Sequence, residues 1–305
     1  MSRQPLFPKL QLGTRGSEAA QPPEIATGEN EAMRTQIGAM SVGDILDRGL
    51  KLLLARLPTY YAIDLLVLAP VLLVQLAVPL MKMGQPLTAD EAQMQLVVGN
   101  LVAALLTLVL QPIATAAILH IIAQEFIDQR AGMGDALRFA LHRFGRLFLA
   151  SLLAGLLIML GSFLCFVPGL LFAVWYIFVG QVVIVEGLKG DSALRRSKEL
   201  TSGYRWRVLG MFVLFLFILI IFSVTIGLLE RVLPTYEVVT TQFGPRVFPN
   251  FSNHAIQTVL GTLLNFLVQT YSAICFTLLY FDLRIRKEGF DLELAARQQA
   301  APTLS

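Results

Sequence analysis

The chain has 305 residues, of which 55% are hydrophobic and only 15% charged, against about a quarter charged in a soluble domain, and its mean hydropathy is +0.66. A net charge of +3 is too small for a protein built to hold a polyanion, so the placement of charge matters more than its sum. The composition excludes an ordinary soluble domain and predicts an all-α integral membrane protein.

Residues 1–40 are rich in Pro, Gln, Glu, Gly and Ala and have no apolar core, which predicts a disordered tail that neither folds nor acts as a signal peptide. A membrane domain is expected over 41–294 and a flexible tail over 295–305. Within the domain, the apolar runs 60–81, 97–123, 147–167, 208–230 and 256–281 approach or exceed the ~20 residues needed to cross a bilayer. A sixth, 170–187, follows Pro168-Gly169, a pair that predicts a tight turn between the third and fourth spans. Pro112 predicts a kink or tilt in the second. The only cysteines, Cys165 and Cys275, fall in apolar runs and read as packing residues.

From residue 41 onward, seventeen basic residues lie on one side of the spans: Arg48, Lys51, Arg56, Arg130, Arg138, Arg143, Arg146, Lys189, Arg195, Arg196, Lys198, Arg205, Arg207, Arg284, Arg286, Lys287 and Arg297. Three, Lys82, Arg231 and Arg246, lie on the other. Because cytoplasmic loops collect Lys and Arg, this asymmetry predicts a multi-pass inner-membrane protein with both termini cytoplasmic. Tyr60, Tyr61, Tyr204, Trp206 and Tyr280 fall at the same span ends, where amphipathic rings suit the interface.

The link ALRRSKELTSGYRWRVLG, 193–210, carries much of that charge. Asp191 can cap a short helix and Gly203 can end it, with Ala193, Leu194, Ser197, Leu200, Thr201 and Tyr204 recurring along one face. The expectation is an interfacial helix, apolar side on the acyl chains and basic side on headgroup phosphates. Arg195, Arg196, Arg205 and Arg207 are the candidate headgroup ligands.

Three acids, Asp64, Glu186 and Asp282, lie near the basic span ends and predict structural ion pairs with the arginines of the links. Gln75, Asn100, Gln111, Gln181, Asn265 and Gln269 are uncharged and deeper; Asn100, Gln181 and Asn265 are the candidates for a polar axis. Ser151 and Gly155, at i and i+4, permit close helix contact. His120, His142 and His254 form no metal-binding or nucleophilic pattern, and no Gly-rich phosphate loop occurs, so neither enzyme chemistry nor a cofactor is expected.

Several stretches together resemble the membrane domain of some bacterial glycerophosphoryl diester phosphodiesterases: SVGDILDRG (41–49), Pro168-Gly169, IVEG (184–187), the 193–210 link and YFDLRIRKEGFDLEL (280–294). The catalytic barrel of those enzymes needs roughly 250 residues more. The resemblance therefore implies the membrane portion without the enzyme: a scaffold, assembly factor or lipid-organising protein. Its candidate partners are membrane lipids and another membrane protein or lipid enzyme, not nucleic acid. The alternative is a transporter or channel subunit for a lipid or small solute.

An internal repeat organises the same residues. Val42, Ile45, Leu46, Leu50 and Leu53 recur 91 residues later as Met133, Ala136, Leu137, Leu141 and Phe144, and Gly43-Asp44 recurs as Gly134-Asp135. A third, more polar copy, the weakest match, begins at Gly190-Asp191 with one inserted residue. Each precedes two spans, which predicts six helices as three hairpins around a pseudo-threefold axis, each introduced by an amphipathic helix.

Overall fold

The computed structural model describes residues 40–81, 85–126, 131–242 and 244–300, with side chains described as far as 287 except that of Phe126. The expected tail therefore lies outside the described residues as far as residue 39. Nine helices stand among the described residues, in the order α1 (Val42–Ala55), α2 (Leu57–Leu80), α3 (Ala89–Phe126), α4 (Met133–Leu164), α5 (Phe166–Tyr176), α6 (Val179–Gln181), α7 (Gly190–Thr201), α8 (Arg205–Val232) and α9 (Phe251–Ala300). A π-helical turn, Val182–Glu186, continues α6, and strands β1 (Tyr236–Thr241) and β2 (Gly244–Pro249) join α8 to α9. Six helical stretches are long and apolar enough to cross a membrane: Leu57–Leu80, Ala89–Glu125, Met133–Leu164, Phe166–Glu186, Arg205–Val232 and Phe251–Lys287.

Local chemistry explains most boundaries. Ser41 caps α1: its hydroxyl accepts from the Asp44 N–H at 3.1 Å while the Asp44 carboxylate accepts from the Ser41 N–H at 2.8 Å. These two bonds hold the Asp44 carboxyl below the usual carboxylate range. Asp44 is thus the reciprocal partner of the cap and not the cap itself. Thr88 and Glu91 close a similar box at the start of α3. Gly203, at φ +88°, ends α7 as expected. Asp191, in contrast, caps nothing and instead pairs with Arg195 at 2.8 Å.

Other expectations are revised. The turn between α4 and α5 falls at Cys165, whose extended backbone (φ −171°, ψ 153°) breaks the helix. Pro168 and Gly169 lie inside the first turn of α5, where proline has no N–H bond to lose. Helix contact there is made by Gly161 and Gly169: a β-carbon on Gly169 would lie 2.7 Å from the Ser162 Cα, and one on Gly161 2.6 Å from the Phe172 ring. Gly155 has no neighbour within 4 Å to pack against. α3 runs without interruption through Pro112. The second interfacial helix is not separate, since α4 is one continuous helix of 32 residues. The link between α8 and α9 is an antiparallel β-hairpin tied to the start of α3 by mutual Leu87–Val247 backbone bonds of 2.9 and 2.8 Å. α9 runs six residues past the expected domain limit at 294, to Ala300.

Burial is lopsided. In α3 the buried side chains concentrate between Ala114 and Ala123, in α8 they are Val208, Met211 and Phe215, and in α9 they run from Phe266 to Leu283. The tight core therefore sits at the end where the basic links gather, here the basic end. Toward the β-hairpin end the same helices leave a cavity.

Candidate functional site

At the basic end, Asp282 is 1% exposed and accepts from three groups. Arg286 donates Nε at 3.0 Å, Arg207 brings Nη2 to 3.1 Å, and the Met40 N–H donates at 2.9 Å. The Met40 carbonyl accepts in turn from both arginines. One carboxylate thus fastens Met40, just ahead of the α1 cap, to the start of α8 and the last part of α9. A second clamp centres on Glu186, at the end of the π turn, which accepts from Arg196 Nε at 3.0 Å and from the Tyr280 hydroxyl at 2.7 Å. It joins α7 to α9.

The third expected ion pair is not formed. Asp64 is 3% exposed and its carboxylate accepts from the Thr270 hydroxyl at 3.1 Å, with no cation within 4 Å among the described residues. The reason is depth: Asp64 lies seven residues into α2, about 10 Å along the helix, whereas the arginines stand at helix ends. The arginine at the mouth of α2, Arg56, pairs instead with Glu125 of α3 at 3.2 Å.

These pairings divide the four candidate headgroup arginines. Arg196 and Arg207 are committed to Glu186 and Asp282, so they are not free headgroup ligands. Arg195, whose side chain is 76% exposed, holds only the solvated Asp191, and Arg205 is exposed 5.7 Å above the Trp175 ring. Trp206 beside it is 85% exposed. Of the expected interfacial aromatics, Tyr60 and Tyr280 are instead fully buried core residues.

Nor does α7 lay its apolar face on lipid. Ala193, Leu194, Ser197, Leu200 and Thr201 are buried against the bundle, because α7 completes a broken helix. The break between α5 and α6 frees the Trp175 carbonyl and the Phe178 N–H, and the Ser197 hydroxyl bonds both, at 2.7 and 3.2 Å. The π turn is met from the other side by Arg143, whose Nη1 donates to the Ile184 carbonyl at 3.0 Å. Arg143 also lies 4.6 Å over the Phe139 ring, whose other neighbour is the stacked His120 ring at 3.9 Å. Irregular backbone at this depth needs such partners, and neither Ser197 nor Arg143 announces that role in the sequence.

Toward the β-hairpin end, α2, α3, α8 and α9 line a half-open cavity of about 600 Å³. Asn100 and Asn265 both line it, together with Gln75, Gln95, Gln111 and Gln257. Gln181 does not: it lies on α6, in the broken span, and is buried. Tyr236 of β1 lines the cavity from the hairpin. The Asp64–Thr270 pair lies one helical turn, four residues along each helix, from the lining residues Leu68 and Phe266. Among the described residues, no group of three or more His, Cys, Asp or Glu is placed to hold a metal ion.

Fold and site together define a mostly helical protein with six membrane-length helices, a braced basic end and a polar cavity. Residues 133–279 match the family described as Domain of unknown function (DUF7847). No curated protein and no solved structure matches the chain.

Proposed function

We propose that the protein is a non-catalytic, multi-pass inner-membrane protein whose basic face is cytoplasmic and gathers anionic lipid headgroups beside a partner, as a scaffold or assembly factor. The observation that carries this reading is the division of labour among the arginines. Arg196 and Arg207 brace the helices through Glu186 and Asp282, which leaves Arg195, Arg205 and the adjoining Trp206 presented outward on a rigid frame. An exposed ion pair such as Arg195–Asp191 is worth at most about 1 kcal/mol, so Arg195 remains available to a phosphate. The resemblance to the membrane domain of some glycerophosphoryl diester phosphodiesterases supports a lipid-associated role.

The test is lipid retention by the purified protein, read by native mass spectrometry. Each basic side chain near an anionic leaflet contributes roughly 1 kcal/mol, or about a fivefold change in affinity. Arg195→Gln and Arg205→Gln should each weaken retention of phosphatidylglycerol or cardiolipin by about that factor and leave thermal stability unchanged. Unchanged retention in the double variant would overturn the reading and leave these charges a topogenic role alone.

A further inference from the structure

Polar side chains inside apolar spans normally bond across helices, because hydrocarbon offers them nothing. Two cavity amides do so: Gln95 donates to the Val78 carbonyl at 2.7 Å and Gln257 to the Leu233 carbonyl. Four do not. The side chains of Gln75, Asn100, Gln111 and Asn265 have no hydrogen-bond partner among the described residues, although each can donate twice and accept twice. The amide oxygen of Gln95, Oε1, is itself buried and likewise unpartnered. Gln75 and Gln111 are half-buried and Asn100 and Asn265 exposed, all within apolar spans; an amide left unbonded in hydrocarbon costs several kcal/mol by order of magnitude, so several lining one space imply that something polar occupies it.

The rest of the lining restricts what that is. It contains no carboxylate, ammonium or guanidinium group, and its one imidazole, His254, has Nε2 3.0 Å from the Gln75 carbonyl, so a phosphate held there would lack a permanent counterion, a large desolvation cost. Hydroxyls and rings stand among the amides, with Ser223, Thr262 and Tyr236 as further donors or acceptors. Burial pushes the Tyr236 phenol up, which keeps it a neutral donor. Amides and hydroxyls that each donate and accept match a group that does the same at many points: a saccharide or polyol. Apolar side chains line the remainder, including Leu68, Val71, Leu72, Ile226 and Phe266. Tyr236 places the β-hairpin over the end of the cavity away from the basic links, and the Leu87–Val247 bridge holds that hairpin down. A volume of about 600 Å³ is in the range of small-molecule sites.

We propose that this cavity binds the neutral, hydroxyl-rich headgroup of a membrane lipid, such as a glycosyl diacylglycerol, with Gln75, Asn100, Gln111 and Asn265 as its hydrogen-bonding residues. The site is at the opposite end of the bundle from the basic face and does not depend on the reading given for that face.

The full chain in nanodiscs of phosphatidylglycerol doped with diglucosyl diacylglycerol provides the test, with retained lipid read by native mass spectrometry. Diglucosyl diacylglycerol should be enriched on the protein over its share of the bilayer. Asn100→Leu with Asn265→Leu should reduce that enrichment by about tenfold or more, the loss of one to two net hydrogen bonds. Leucine is at home in a span, so these variants should remain folded. Gly261→Leu supplies an independent block: a β-carbon there has 3.8 Å of clearance from Ile226, and the remaining side chain would project into the cavity with every amide intact. It too should abolish enrichment. Free maltose that competes in the wild type but not in these variants would identify the saccharide itself as the ligand; failure of maltose alongside lipid enrichment would identify the lipid-linked form. Equal retention of phosphatidylglycerol and the glycolipid, or enrichment that survives both Asn100→Leu/Asn265→Leu and Gly261→Leu, would overturn the proposal.

Discussion

Asp282 shows how much one carboxylate can organise when it is buried among donors. At 1% exposure it is unsolvated, and two guanidinium groups and a backbone N–H replace its water. Breaking a buried pair from one side leaves the other charge stranded, a loss of about 3–5 kcal/mol. Asp282→Asn should therefore lower the stability of the detergent-purified protein by about that amount in chemical or thermal unfolding. Asp282→Asn combined with Arg207→Gln should cost clearly less than the two separate losses added, because the second change removes the group that the first stranded. Additivity would mean the pair is not coupled. Asp64, a similar acid in a similar stretch of sequence, has only the Thr270 hydroxyl. The difference is one of reach: Asp282 precedes Arg286 by one helical turn, while Asp64 has no arginine one turn away on its own helix. That much was legible, but Arg207 and Met40, 75 and 242 residues away, were not.

At the scale of elements, the signals in the sequence were sound where the cause is local and failed where two helices meet. Proline followed by glycine marks the break between α4 and α5 within three residues, yet the reason for Gly169 lies in α4, where Ser162 leaves no room for a side chain. Gly169→Ala must push Ser162 Cα and N, 2.7 and 2.8 Å from the new carbon, and should destabilise the protein by about 1–3 kcal/mol in thermal unfolding. Gly155→Ala, with nothing within 4 Å, should be neutral or slightly stabilising. Equal effects would place the close contact elsewhere. The cavity stripe on α9 was readable in principle: His254, Gln257, Thr258, Gly261, Thr262 and Asn265 follow the i, i+3, i+4 spacing of one helix face, a polar and small stripe on the first part of that helix. Dividing that helix into loop and span hid the pattern, because the stripe crosses the expected boundary at 256.

For the whole molecule, the three matched stretches bury corresponding positions, with the third offset by one inserted residue. Ile45, Ala136 and Ala193 are all 0% exposed, and Gly49, Ala140 and Ser197, four residues on in each copy, are all buried. These stretches differ in how they connect: α1 and α7 are separate helices, whereas the stretch from Met133 is part of α4. Sidedness is checked by labelling intact cells with a membrane-impermeant maleimide in a Cys165→Ser background. Val239→Cys on β1, 47% exposed, should react from outside. Lys51→Cys on α1, whose side chain is 75% exposed, should react only after lysis; the reverse pattern would invert the proposed topology. Length, hydropathy and charge act residue by residue along the chain, so six helices long and apolar enough to cross a membrane, and the places of their basic links, could be read before any fold was known. Tertiary structure alone decided which arginines are consumed as braces, that α7 repairs a broken helix instead of resting on lipid, and that four amides face a common space without partners. Those outcomes depend on which side chains meet across helices, and a hydrogen bond or a steric limit of a few ångströms between residues far apart in the chain leaves no mark on the periodicity of either.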